Sequence, residues 1–288
     1  MEKQRTSHRS GVVIVAVNRI GVIVFDVNET LSDMTPLGDR FADVGASADL
    51  LPTWFAGILR DGFALTAAGG YADFSEIAAE NARALLTGLG DWTGDAEVAA
   101  HHLVEGFAAL TVHPDVPEGV QMLHAAGYRL LTMTNGSQAT TQRLLDSAGL
   151  LEHFDALLDV SGPRCWKPSR DAYLHATDTA GVRPAEAMLV AVHPWDVDGA
   201  RRAGLAGAWL RRGRAHYPEI MTPANWEAAS LTELAEKPRR AARSPRSGLC
   251  LGDLFDDVAV ERRPHQGGRE DRVGGLGHQG RQLFRPSR

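Results

Sequence analysis

Four groups of polar residues in this chain each follow an apolar run, and their side chains together could carry out a displacement reaction. Asp26 ends the run Val22–Phe25, and Thr134-Asn135 ends Tyr128–Met133. Lys167 follows the strand predicted over Phe154–Val160, and His193-Pro194-Trp195-Asp196 follows Met188–Val192. A carboxylate in the position of Asp26 can serve as a nucleophile, a metal ligand or a strand cap. As a nucleophile it splits a hard displacement into two easier steps, and a buried ammonium beside carboxylates keeps them ionised. One polar strand end is weak evidence, because strands commonly stop on polar caps. Four in this order and spacing form a specific pattern.

The elements that position these groups follow from the periodicity. Val22–Phe25, bounded by Gly21 and rich in β-branched and aromatic residues, reads as a buried strand of a parallel sheet. In open α/β sheets reactive groups lie just past the carboxyl ends of the strands, where Asp26 falls. Helices are predicted over Val116–Ala126, Gln138–Ala148, Pro168–Thr179 and Trp195–Ala203, closed by Gly127, Gly149, Gly181 and Gly204. Ala206–Leu210 gives a last strand. This alternation implies right-handed crossovers and an α/β fold with a doubly wound parallel sheet. Between Pro36 and Leu110 the pattern is helical instead. Leu50, Leu51, Trp54, Phe55, Ile58 and Leu59 share one helix spacing, Phe74, Ile77, Ala78, Ala82 and Leu85 another, and Val98–Leu110 forms a third helix. The expected organisation is an N-terminal extension over 1–20, an α/β core over 21–34 and 111–236, and an all-helical cap over 35–110. From Lys237 the chain is rich in Arg, Gly and Pro and poor in apolar surface, so 237–288 is expected to be a disordered tail.

Composition narrows the function classes. The 288 residues are 44% hydrophobic and 23% charged, as in ordinary globular proteins. A formal charge of −6 gives no ground for nucleic acid or a membrane surface as partner. The apolar run Gly11–Val17 is too short to span a bilayer, and no small-residue cleavage site follows it. Cys165 and Cys250 lie far apart and form neither a metal spacing nor a disulfide framework, so a cytoplasmic location is expected. His101, His102 and His113 have no acids at ligand spacing and read as surface or linker residues.

The segments FDVNETL, LLTMTNGS, WKPSRDAY and WDVDGARRAGL resemble the haloacid dehalogenase superfamily, and within it the L-2-haloacid dehalogenase (type II) group. The resemblance covers Val22 to Glu236. It implies a Rossmann-like core with an inserted helical cap, a homodimer, a small-molecule substrate and no cofactor. It also implies roles. Asp26 would attack carbon and displace halide as an aspartyl ester, with Thr30 holding its carboxylate in place. Thr134 and Asn135 would bind the nucleophile and the substrate carboxylate. Lys167 would offset the carboxylates' charge, and Asp196 would position Lys167 and activate water on the ester. Tyr173 and Trp195 would lie beside the site.

Several positions depart from the superfamily's patterns. Asn28 stands where related phosphatases carry an acid/base Asp, and Val192 where they carry a Mg²⁺-ligating Asp. Valine offers no oxygen to a hard cation, and an amide is a poor proton donor to a leaving alkoxide. Both favour metal-independent loss of halide. Phe55 occupies the position of a pocket arginine expected to bind halide and contact substrate, which leaves the substrate open. Arg60 lies five residues further along the predicted helix and points elsewhere, while His193 stands where the group usually has Asn. The expected function is hydrolytic dehalogenation of small 2-halo acids. The rival readings are a phosphatase on the same scaffold and a catalytically idle binding protein.

Overall fold

The computed structural model describes residues 20–213 and 216–242. The chain enters through β1 (Val22–Phe25) and β2 (Ser32–Asp33), then runs through α1 (Leu37–Asp43), α2 (Leu51–Ala67), α3 (Phe74–Thr87) and α4 (Ala96–Glu105). After β3 (Thr111–Val112) strands and helices alternate: α5 (Val116–Ala125), β4 (Arg129–Thr134), α6 (Gln138–Ser147), β5 (Phe154–Asp159) and α7 (Arg170–Ala180). There follow β6 (Ala187–Ala191), α8 (Pro194–Ala203), β7 (Ala206–Leu210), β8 (Trp226–Ala228) and α9 (Leu231–Ala242).

All four residues of β1 are buried, as required of a strand covered on both faces. It pairs in parallel with β4 on one side and β6 on the other, and the main sheet has the order β5-β4-β1-β6-β7-β8. Sequence order therefore reverses at β1, and the crevice at such a switch point is where open α/β sheets bind ligands. Asp26 lies at the carboxyl end of this strand. Gly181 and Gly204 close α7 and α8 with φ of 68° and 101°, a left-handed conformation that glycine adopts without a Cβ clash.

The helices α1–α4 leave and rejoin the sheet region through the antiparallel pair β2–β3, in which Ser32 faces Val112 and Asp33 faces Thr111. An aromatic chain ties these helices to the segment that carries Lys167. Phe41 packs on Trp54 at 5.5 Å, Phe107 on Phe74 at 5.0 Å, and Phe74 stacks on Trp166 at 5.9 Å. Trp166 also donates through its backbone N to Thr66 Oγ1 at 3.0 Å and through Nε1 to Ala72 O at 3.1 Å.

Three features differ from the expectation. β8 was not foreseen, because three residues on a sheet edge carry almost no periodic signal. Helix α9 runs through Ala242, past Lys237 where a disordered tail was expected to begin. Its apolar side packs against α5, so closely that a Cβ on Gly119 would lie 2.5 Å from Leu231 Cγ. The expectations for 1–19 and 243–288 lie outside the described residues. His113 is half-buried and hydrogen-bonded rather than a simple linker residue, and His102 meets Asp43 at 3.0 Å across two helices.

Candidate active site

The turn after β1 shapes the centre of the site. Leu31 N and Ser32 N both donate to Val27 O, at 2.8 and 3.0 Å, folding the chain back so that Thr30 reaches Asp26. Thr30 Oγ1 donates to Asp26 Oδ2 at 2.6 Å and accepts from Val192 N at 3.1 Å. One hydroxyl thus joins the ends of β1 and β6. The turn requires Glu29 to adopt φ 61°, an uncommon conformation for a residue with a Cβ.

Lys167 is fully buried, with Nζ 2.9 Å from Asp26 Oδ1 and 2.6 Å from Asp196 Oδ2. The side-chain amide of Asn135 holds the Lys167 backbone at both ends. Lys167 N donates to Asn135 Oδ1 at 2.8 Å, and Asn135 Nδ2 donates to Lys167 O at 3.2 Å. Tyr173, one turn into α7, donates its hydroxyl to Asp196 Oδ1 at 2.6 Å. The two carboxylates, the ammonium and the phenol therefore form one continuous chain of hydrogen bonds.

Burial pushes the Asp26 carboxyl upward, but Lys167, His193 and Thr30 outweigh it and hold the group well below the usual carboxylate range. Asp196 goes the other way: burial raises it, and the pull of Lys167 offsets only part of that. Burial would deprotonate Lys167, yet Asp196 and Asp26 together push it above the ordinary lysine value. Tyr173 is raised well above a free phenol by burial and by Asp196, so it is a donor throughout the neutral range. Of the two buried carboxyls on Lys167, Asp26, at the end of β1, is the one held firmly in its ionised form.

His193 caps α8 and bridges two acids. Its Nδ1 lies 3.2 Å from Asp26 Oδ2 and its Nε2 lies 2.8 Å from Glu29 Oε2. Burial disfavours the charged ring, but the hydrogen bonds to Asp26 and Glu29 prevail and push its pKa up to about 9. Trp195 packs beside the imidazole at 5.1 Å and Phe55 at 6.2 Å. Phe63 closes against Trp195 at 4.9 Å.

Two cavities flank these residues. One of ≈ 250 Å³ is lined by Val27, Asn28, Thr134, Gly136 and the apolar side chains Phe74 and Phe107. The other, ≈ 720 Å³ and more open, is lined by Phe55, Val192, His193 and Glu29. Thr134 faces the first cavity. Its Oγ1 accepts from Gly136 N at 2.9 Å, and its hydroxyl hydrogen is not used in that bond.

The residues present do not suit a hard cation. Val192 supplies no oxygen where related phosphatases have a carboxylate, and both Asp26 oxygens already face N–H or O–H donors. Among the described residues no three His, Cys, Asp or Glu side chains converge on one point.

Comparison with known proteins agrees with this geometry. The family model for haloacid dehalogenase-like hydrolases matches residues 20–204. The (S)-2-haloacid dehalogenase 4A of Burkholderia cepacia is 30% identical over 222 residues, covering 76% of this chain and 94% of the relative. This chain belongs to the haloacid dehalogenase-like hydrolase family. The L-2-haloacid dehalogenase of Xanthobacter autotrophicus has a similar structure, with a TM-score of 0.70 at 25% identity, covering 76% of this chain and 98% of that one. A dehalogenase solved as an intermediate complex gives a TM-score of 0.69 at 28% identity, over 76% of this chain and 96% of the other.

Within this family member, Thr30, His193 and Lys167 all bond Asp26, and Lys167 links Asp26 to Asp196 and through it to Tyr173. Thr134 and Asn135 do not bond Asp26: the first turns to Gly136 N and the second to the Lys167 backbone. Arg60 is 71% exposed and paired with Asp61 at 2.6 Å, away from the centre. Sequence reasoning passed over Glu29 and Arg212. Glu29 sits inside the FDVNETL segment, where the sequence pattern alone gives it no partner. Arg212 donates to Asp115 Oδ1 at 2.8 Å and to Thr30 O at 2.9 Å, supporting the turn from behind. Its position two residues past β7 was the only signal available.

Proposed function

We propose that this chain is a metal-independent hydrolytic dehalogenase of small 2-halo carboxylic acids that works through an ester on Asp26. The observation that carries this reading is the state of Asp26, an ionised carboxylate held by Lys167, Thr30 and His193 at the switch point of the sheet. The names of the relatives, (S)-2-haloacid dehalogenases, supply the substrate class.

Asp26 Oδ2 accepts two hydrogen bonds, whereas Oδ1 accepts one, so the open lone pair is on Oδ1. In this reading Oδ1 attacks the halogen-bearing carbon, the new C–O bond forms, and halide leaves with the electron pair of the broken C–X bond. The carbon is inverted. Water then adds to Cγ of the ester, with Asp196 as proton acceptor. The Cγ–Oδ1 bond breaks, and the hydroxy acid departs carrying Oδ1. One proton of the water ends on the product hydroxyl and the other is released. Lys167, already on Oδ1, steadies the departing oxygen. The hydroxyl of Thr134 is free to donate to the substrate carboxylate from the smaller cavity, while Phe55 gives the larger cavity an apolar wall. Asn135 and Tyr173 act through Lys167 and Asp196 respectively.

A phosphatase would need a cation beside Asp26 and an acid at position 28, where Val192, Lys167 and Asn28 stand. The deciding measurement is halide release from 2-chloropropionate and 2-bromo acids, with and without EDTA. Release unchanged by EDTA and abolished in Asp26→Ala is expected. EDTA-sensitive hydrolysis of p-nitrophenyl phosphate with no halide release would reverse the assignment. We also propose a cytoplasmic homodimer, supported by the resemblance to the type II dehalogenases and by the free thiol of Cys165. Sedimentation of the full chain at the monomer mass would rule the dimer out.

A further inference from the structure

The first half of the reaction has its groups accounted for, but the second half creates a charge that nothing above has been assigned to meet. When water adds to the ester, the Asp26 oxygen that was not alkylated changes from carbonyl oxygen to oxyanion. With Oδ1 as the attacking atom, that oxygen is Oδ2. Two donors point at it: Thr30 Oγ1 at 2.6 Å and the His193 ring at 3.2 Å. Preorganised donors aimed at a developing charge in a site of low dielectric are among the largest single contributions to catalysis.

We propose that His193 is a catalytic residue of ester hydrolysis, donating from Nδ1 to Oδ2 as that oxygen becomes negative, and that Glu29 is the positioning residue that holds the ring through Nε2. This rests on the aspartyl-ester reading above and assigns a role within its second step. Three observations carry it. Nδ1 is placed on the correct oxygen. Nε2 is anchored 2.8 Å from a carboxylate, so the ring's orientation and its second proton are both fixed. The ring also packs against Trp195 at 5.1 Å and Phe55 at 6.2 Å.

Esterification changes what His193 faces. Around it lie Asp26 and Glu29 after β1, Asp196 on its own helix, Lys167 on the far side of Asp26, His113 after β3 and Arg212 after β7. Of these, Asp26 loses its charge in the ester. Glu29, whose carbonyl is fixed by His113 Nε2 at 3.0 Å, then becomes the acid that keeps the ring protonated. An imidazolium donor gives ester decay a falling limb at high pH. The limb lies below the value of about 9 that His193 has while Asp26 is ionised.

The test is single-turnover kinetics on the full chain with 2-chloropropionate, following chloride release and the mass of the Asp26 peptide together. In His193→Leu the donor is gone, and ester decay should slow about 10²–10³-fold, the usual effect of losing one oxyanion donor. Chloride release should slow far less, so the ester accumulates. In His193→Asn an uncharged donor is retained, and the high-pH limb of ester decay should disappear. In Glu29→Gln the limb should move to lower pH. Ester decay at the wild-type rate in His193→Leu, or an unchanged limb in His193→Asn, overturns the role of His193 and leaves the aspartyl ester standing. A wild-type protein that releases no chloride and forms no ester overturns both readings. Should His193→Leu fail to fold, the pH profiles of the other two variants decide the matter.

Discussion

Asp26 and His193 hold each other in their charged forms, and that has a thermodynamic consequence apart from catalysis. A histidine raised from 6.5 to about 9 binds its proton more tightly in the folded protein than in the unfolded chain. The stabilisation is complete below the unfolded value of 6.5 and is lost as pH rises through 9. The span corresponds to about 3 kcal/mol, taking about 1.4 kcal/mol per unit. Chemical denaturation of the wild type should therefore show stability falling between pH 6.5 and 9, with His193→Asn much flatter over that range. Equal slopes for the two proteins would mean that the imidazole carries no net charge in the folded state. At this scale the sequence was only partly legible. The types and order of Asp26, Lys167 and Asp196 were readable because each ends or follows a strand. The partnership of Glu29 with His193 was not, since it depends on a turn that places residue 29 at positive φ.

At the scale of elements, α2 bears on the chemistry without contributing a charged group to it. A Cβ on Gly62 would lie 2.3 Å from Trp166 Cε3, so the glycine exists to let the indole lie flat on the helix. Trp166 immediately precedes Lys167, whose ammonium must stay within 3 Å of two carboxylates. Gly62→Val should push the indole away, with an overpacking cost of about 1–3 kcal/mol. It should also lower kcat by more than the lost stability explains, since Lys167 shifts with its neighbour. Melting temperature and halide-release kinetics on the same preparation separate the two effects, and a stable, fully active variant would mean the contact is not transmitted. Periodicity was enough to find α2, β1, β4 and β6, because each presents a long or fully apolar pattern. It could not find β8, whose three residues lie on the edge of the sheet, nor the continuation of α9. From Lys237 the sequence carries a proline and a run of arginines, which resembles a polar tail.

At the scale of the whole molecule, the charge distribution bears on how substrate arrives. The chain carries a formal charge of −6, and the wall of the larger cavity beside Phe55 and His193 includes Glu29, Asp33, Asp39 and Asp49. Arg212 faces the same space, but its charge is matched by Asp115 at 2.8 Å. Phe55 adds no cation where a guanidinium was expected. A halo acid is an anion, so one approaching from this side is repelled until it reaches Lys167 and His193. Mobile ions shorten that repulsion, since the screening length falls to about 8 Å at physiological ionic strength. For 2-chloropropionate, kcat/KM should therefore rise as salt is added over a range in which the uncharged 2-chloropropionamide shows no trend. A fall with salt would place net attraction at the entrance. The replacement of one arginine by Phe55 thus becomes a rate effect felt before any bond is broken: dissolved salt would do for an incoming anion what a built-in cation does elsewhere.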